Sequence, residues 1–249
     1  MRVLFSSMRL TGHIRPLLPY AQALVAHSHE VLFSTPESAA KTVIDAGLSH
    51  VCADFPDMAD LQDIFAALQE MPEQEKQETV VRKLFSGRYA RAALPSLRKT
   101  IAEFKPDLTV RESMEFGSVI AAAEADIPIV QVATTSADFE DLILHLSIEQ
   151  MDQLREDVGL APDQGQAMIN APTFTAFPLS FESGTCTSAM PPPFRVGAKR
   201  LTSPEGCARP DWELDDKRPL VFVTLGTLAG HFDRAPAILR DILNVVSEL

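Results

Sequence analysis

The chain opens with an apolar run at residues 3–5 and breaks at once into a polar turn, residues 6–13, that carries His13. Behind Pro16, the apolar residues Leu17, Leu18, Ala21, Leu24 and Val25 recur at helical spacing and mark one face of a helix. Proline suits the first helical position, because the N–H it lacks would have no partner there. The pattern then repeats, with a strand at 31–34, a helix over 36–46 closed by Gly47, and a strand at 50–53. No hairpin signal joins these strands, so right-handed crossovers and a parallel sheet are expected.

From Asp54 the pattern changes to helical stretches at about 58–70 and 73–104, with Gly87 and Pro95 expected to break or kink the second. Phe65, Leu68, Met71, Leu84, Phe85 and Tyr89 on this insertion could wall a pocket or simply pack the helices onto the sheet. Strand–helix alternation resumes with a strand at 108–110 ending in Arg111-Glu112, a small-residue helix over 116–125, and a strand at 127–133. Thr134-Thr135-Ser136 follows as a polar strand end, and then a helix over 138–158 directs Leu142, Ile143, Leu146, Met151 and Leu154 inward. Residues 174–181 read as a strand interrupted by Pro178, and 194–196 as a last short strand.

Residues 198–218 lack apolar periodicity and read as a linker. Beyond it, 220–224 reads as a buried strand, followed by the turn Leu225-Gly226-Thr227 and a helix over 236–249. The expected class is therefore α/β, with a Rossmann-like parallel sheet in a domain at 1–197. A second Rossmann-like domain begins at 219–249 and is not completed there, because one strand and one helix cannot cover both faces of a sheet.

Composition narrows the function. A net charge of −12 opposes a groove that tracks nucleic-acid phosphates. The apolar run at the N-terminus is too short for a signal peptide or a membrane span, so a cytoplasmic protein without a membrane partner is expected. Cys52, Cys186 and Cys207 form no C-x-x-C pair, which suits reduced thiols and gives no support for structural zinc. The chain contains no G-x-G-x-x-G, Walker loop, H-E-x-x-H, nucleophile elbow or Asp-x-Asp pair.

In an open parallel sheet, ligands collect beyond the carboxyl ends of the strands. The polar ends at 6–13, 111–115 and 134–136 can converge on one crevice. At a helix N-terminus, His13 would be held neutral by the macrodipole, whereas a nearby carboxylate would orient its ring and favour the cation. Glu112 is the candidate partner, and the two would form a base for removing a hydroxyl proton. His13 also admits a plainer role as a turn or cap residue, and Arg111, Glu112 and Glu115 as a solvated charge cluster. Leu225-Gly226-Thr227 could hold an anion such as a diphosphate, or be only a tight turn.

Gly12-His13-Ile14-Arg15-Pro16, then Leu17-Leu18-Pro19 and His29-Glu30-Val31, resembles the opening of family 1 glycosyltransferases of the GT-B fold. The flavour is that of actinobacterial enzymes that decorate macrolides, enediynes and other antibiotics. Ala46-Gly47-Leu48, Lys105-Pro106-Asp107-Leu108, Arg111-Glu112, Glu115-Phe116-Gly117, Ala121-Ala122 and the stretch from Pro219 through Thr227 continue the likeness in order.

The resemblance implies inverting, metal-independent transfer of a sugar from a nucleotide donor, a UDP- or TDP-sugar, to a hydroxyl of a natural-product aglycone. No cofactor is implied, and a homodimer is a further partner considered. By the same resemblance His13 is the general base, with Glu112 as its partner where many relatives carry Asp. Gly12, Thr224, Gly226 and Thr227 would lie near the donor, and Phe65, Phe85, Thr134 and Phe139 near the acceptor. Departures are Ser28, where relatives usually have Gly, and Ala125-Asp126, where they usually have Leu-Gly. The family's main donor motif, a His-x-Gly-x-x-Gly-Thr-like stretch, is absent, so little transfer is expected from these residues alone. The other function considered is a non-catalytic small-molecule binding module.

Overall fold

The computed structural model describes residues 1–182, 190–197, 221–225 and 234–247. Two compact units divide the chain, Met1–Gly197 and Ala198–Leu249. The first unit is built on a seven-stranded sheet in the order β3-β2-β1-β4-β5-β6-β7, and every pairing is parallel. Its strands are β1 (Arg2–Ser6), β2 (Glu30–Thr35), β3 (Ser49–Cys52), β4 (Leu108–Glu112), β5 (Ile129–Ala133), β6 (Thr173–Thr175) and β7 (Phe194–Arg195).

Strand alternation distributes the core. On β1, Val3 and Phe5 point to one face, where they meet Ile14, Leu17, Ala21 and Val43. Those residues come from α1 (Thr11–Ile14), from Leu17 at the mouth of α2 (Leu18–Ala26), from α2 itself and from α3 (Ala40–Asp45). Leu4 points to the other face and joins Leu61, Leu84, Leu97, Ile120 and Met151. That face is covered by α4 (Gln62–Glu70), α6 (Ala90–Phe104), α7 (Gly117–Glu124) and α8 (Ala137–Asp157), with α5 (Glu73–Thr79) following α4 in the chain. Helices on both faces explain why the central strands read as continuous apolar runs.

Several expected boundaries are corrected. The helix expected to open at Pro16 begins at Leu18 with Pro19 in its first turn, and His13 sits in the separate single turn α1. One turn cannot hold itself together in water. Ile14 and Leu17, both 0% exposed, fasten it instead, each worth about 1.5–3 kcal/mol of apolar burial. The helix over 36–46 becomes a 3₁₀ turn, Glu37–Ala39, leading into α3. Gly47 ends it at φ +76, with Leu48 N–H donating to the Val43 carbonyl at 3.3 Å.

The insertion is not broken at Gly87 or Pro95. Residues Val80–Tyr89 form a π-helical segment that joins α5 to α6, and Pro95 lies inside α6. A Cβ on Gly87 would stand 2.9 Å from the Arg82 carbonyl oxygen, so this wide turn needs a glycine there. The hydroxyl of Ser86 donates to the Val81 carbonyl at 2.9 Å and supports the same wide turn.

Lys105 takes a left-handed conformation, φ 50, and ends α6. After Pro106, the Asp107 carboxylate accepts from Arg2 N–H at 2.7 Å while its own N–H donates to the Arg2 carbonyl at 2.8 Å. The Lys-Pro-Asp sequence thus turns the chain out of a helix and registers β4 beside β1.

The strand expected at 174–181 stops at Thr175, because Pro178 cannot donate to a ladder, and Leu179–Phe181 is a 3₁₀ turn. Leu142 is 40% exposed rather than inward, although Ile143, Leu146, Met151 and Leu154 are buried. A short helix, α9 (Gln166–Ile169), was not anticipated.

In the second unit, 221–225 is not a strand, and Val221 and Phe222 are 48% and 83% exposed. An apolar run becomes a strand only against a pairing neighbour, and among the described residues none pairs with it. The helix α10 (Ala235–Ser247) is present. Gly226, Thr227, Cys186, Cys207 and the linker 198–218 lie outside the described residues.

Candidate active site

The carboxyl ends of β1, β4 and β5 do converge. Ser6 of β1 pairs with Arg111 of β4, and Arg111 in turn with Gln131 of β5. The chain leaves β1 through Ser7 and Met8 into α1, which brings the His13 ring over the end of β4. There Nδ1 of His13 lies 3.0 Å from Oε2 of Glu112. The extra methylene of glutamate, compared with aspartate, spans the gap. Glu112 is 0% exposed, and its carboxylate also accepts from Met114 N–H at 2.7 Å and Met8 N–H at 3.3 Å.

Three donors aimed at a buried carboxylate favour its charged form. Burial alone would raise the Glu112 pKa, but His13, the Met114 N–H and Arg111 together hold it below the ordinary carboxylate value. The same balance acts on His13. Burial would lower its pKa, but the charge and hydrogen bond of Glu112, with a smaller push from Glu140, raise it above 6.5. The helix N-terminus expected to keep His13 neutral is not where the ring sits, since His13 lies in the last turn of the four-residue α1, and Glu112 sets its charge state instead. A proton on Nδ1 donated to Glu112 leaves the Nε2 lone pair free to take a proton. The His13 ring also meets the ring of Phe85 from the π segment, centroids 6.1 Å apart.

Arg111, Glu112 and Glu115 are not a solvated cluster, since all three are buried. The Arg111 guanidinium donates to the carbonyls of Glu115 and Ser113, each at 2.6 Å, and to the side chain of Gln131. Burial pushes its pKa down, and the carboxylates of Glu115, Glu112 and Glu140 oppose that push. The Glu115 carboxylate accepts the Ser118 N–H at 3.1 Å at the start of α7.

Sequence reasoning missed Glu140, Gln131 and Ser113. The available signal was a mismatch. Arg111 and Gln131 are polar residues inside strands covered on both faces, and such residues need buried partners. Glu140 follows Thr134-Thr135-Ser136 in the first turn of α8 and is that partner. Its carboxylate accepts from Ser113 Oγ at 2.5 Å and Thr135 Oγ1 at 2.7 Å. The Thr134 and Thr135 N–H groups donate to it at 3.1 Å and Gln131 Nε2 at 2.9 Å.

Beside Glu140, a cavity of about 320 Å³ opens past the ends of β5 and β6. Thr135, Glu140, Glu182, Met190 and Pro191 to Pro193 are among its lining residues. Most of those polar groups are already paired, so the cavity offers an incoming molecule chiefly apolar wall.

Of the residues expected near an acceptor, Phe85 touches His13, and Thr134 donates to Ser113 Oγ through N–H and Oγ1 at 2.9 and 3.0 Å. Phe65 and Phe139 are half-buried against the apolar core of the insertion, and none of these four lines the cavity. Gly12 is exposed beside His13 in α1, and Thr224 lies in the second unit. Among the described residues, no group of three His, Cys, Asp or Glu side chains is placed to hold a metal ion. Among them also, no helix is long and apolar enough to cross a membrane.

A doubly covered parallel sheet with a histidine–carboxylate pair at its central strand ends is an α/β fold of the class in which ligands collect beyond the carboxyl ends of the strands. The chain is similar in sequence and fold to natural-product glycosyltransferases of the GT-B class. It is 29% identical to the L-demethylnoviosyl transferase of Streptomyces niveus, over 68% of this chain and 48% of that protein. It is 27% identical to the 4'-demethylrebeccamycin synthase of Lentzea aerocolonigenes, over 99% of this chain and 69% of that protein. A glycosyltransferase of Streptomyces sp. SF2575, solved with thymidine diphosphate, matches with a TM-score of 0.60 and 26% identity, covering 74% of this chain and 51% of the other. The chain thus spans about half the length of that structure and of the first of these relatives. No family model matches it.

Proposed function

We propose that Met1–Gly197 forms the acceptor-binding half of an inverting glycosyltransferase. In that reaction a sugar passes from a nucleoside diphosphate to a hydroxyl of an apolar natural product. The single observation that carries this reading is the 3.0 Å contact between His13 and the buried Glu112.

The chemistry follows from the pair. Glu112 keeps the proton on Nδ1, and Nε2 takes the proton of the acceptor hydroxyl. The hydroxyl oxygen bonds to the anomeric carbon from the face opposite the leaving group. The bond from that carbon to the diphosphate oxygen breaks, and its electron pair leaves on the diphosphate. Attack from the opposite face inverts the configuration. Glu112 stabilises the imidazolium as it forms, as an orienting carboxylate does in other histidine-based sites. No metal or cofactor is assigned a step.

Thymidine diphosphate bound to the Streptomyces sp. SF2575 enzyme supports a thymidine or uridine diphosphate sugar as donor. Gly12, Thr224, Gly226 and Thr227 remain the proposed donor contacts, and Phe65, Phe85, Thr134 and Phe139 the proposed acceptor contacts. The apolar cavity beside Thr135 adds a second acceptor wall. We assign residues 198–218 to a linker and 219–249 to the start of the donor domain.

The test combines acceptor titration with a transfer assay in which a donor-binding domain of a relative is supplied. Binding of a polycyclic aglycone, and transfer that falls about 10²- to 10⁴-fold in His13→Ala, are expected. Binding that survives while transfer is absent with every donor domain and nucleotide sugar would favour a non-catalytic binding module instead.

A further inference from the structure

We propose that Glu140 is a positioning residue that ties the loop after β5 to the His13–Glu112 pair through Ser113. This rests on the reading of that pair as base and partner, and of Thr134 to Ser136 as part of the acceptor wall. Five donors converge on the Glu140 carboxylate, from Ser113, Thr134, Thr135 twice, and Gln131. Five donors hold the carboxylate in one place and favour its ionised form. Burial pushes its pKa up, and these hydrogen bonds and Arg111 pull against that push.

The connection to the pair is continuous. Ser113 Oγ donates to Glu140 and accepts from both Thr134 N–H and Thr134 Oγ1, so the hydroxyl is a fixed joint between β4's turn and β5's loop. The next residue, Met114, gives its N–H to the same Oε2 of Glu112 that holds His13. Movement of the loop therefore moves residues 113–114, and with them the oxygen that orients the imidazole. An acceptor pressing on Thr134 or Thr135 would tighten the base it is about to use. Buried, fully satisfied polar networks transmit such changes because a half-satisfied arrangement is costly.

The charged groups around His13 are Glu112 beside it and Glu140 behind, with Arg111 and Glu115 buried next to Glu112. Phe85 adds only an uncharged ring. Two variants separate a mechanical link from a simple field. Glu140→Gln removes charge and disturbs the joint. Ser113→Ala removes the joint and leaves the charge.

His13 is titrated by NMR in the 249-residue chain, with circular dichroism and thermal melting confirming the fold. Both variants are expected to lower the His13 pKa, Glu140→Gln further. Ser113→Ala should also speed hydrogen exchange at Thr134 by about two- to threefold, because its N–H loses the Ser113 bond and keeps the one to Glu140. A His13 titration unchanged in Ser113→Ala overturns the proposal, whether Glu140→Gln shifts it or not, because charge alone then acts. None of these readings requires transfer, so the link can fail while the glycosyltransferase reading stands. Conversely, absent transfer would leave the titration result intact.

Discussion

The ends of β4 and β5 each present a buried carboxylate, and the two are driven in opposite directions. Glu112 has a pKa held below the ordinary value, whereas that of Glu140 is raised. Burial pushes both up. The difference lies in the partners. Glu112 faces an imidazole that can carry a full positive charge, while Glu140 is surrounded mostly by neutral hydroxyl and amide donors. The β4 end therefore carries an ion pair through which a proton can be exchanged, whereas the β5 end is a scaffold of hydrogen bonds. Proximity to a sheet end does not distinguish base from brace, but the identity of the donors does.

The contrast breaks most severely at His13. Replacing it with alanine should cost transfer about 10²- to 10⁴-fold, read as kcat/KM. The stability cost should also depend on pH. His13, raised in the folded state, contributes stability fully below its unfolded value near 6.5, and that contribution is lost as pH rises through the raised value. Glu112, lowered in the folded state, contributes above its unfolded value near 4.5, and loses its contribution as pH falls through the lowered value. Denaturant midpoints of wild type and His13→Ala should therefore differ most between about pH 4.5 and 6.5 and converge on either side.

Removing the cation shared by the two ends should come next in size. Arg111→Ala leaves the carboxylates of Glu112, Glu115 and Glu140 buried without their guanidinium. A loss of about 3–5 kcal/mol in unfolding free energy is expected. Glu140, with no imidazole beside it, should suffer the larger rise in pKa.

The π segment presses Phe85 against His13 only while its wide turn survives. Gly87→Ala should cost about 1–3 kcal/mol, because the new methyl meets the Arg82 carbonyl rather than a side chain that can swing away. The smallest effect is a gain. Ser28 and Asp126 hold φ of 63 and 53, a left-handed conformation that favours glycine. Each change to Gly should stabilise by up to about 1 kcal/mol, measurable as a small rise in Tm.

Periodicity and capping chemistry exposed the parallel sheet, because two-sided cover leaves strands apolar and Gly47 stops its helix in a conformation that suits glycine. The pairing of His13 with Glu112 was legible as a candidate, since both stand at polar ends of apolar strands that can converge on one crevice, while the adjacency of β1 and β4 came only with the sheet order. What stayed hidden depended on three-dimensional neighbours. Gly87 reads as a breaker until the Arg82 carbonyl stands against it, and Glu140 reads as an ordinary first-turn acid until Ser113 and Gln131 arrive from other strands. The apolar run at 220–224 promised a strand, yet its described part, 221–224, has no pairing partner among the described residues.

The most direct measurement is the ¹⁵N spectrum of the His13 ring across pH, in wild type and Glu112→Gln. A working base requires the neutral ring to carry its proton on Nδ1, with a pKa above 6.5 that falls when Glu112 loses its charge. A ring protonated on Nε2 when neutral, or one that titrates at or below 6.5 irrespective of Glu112, would contradict the pairing on which the proposed chemistry stands.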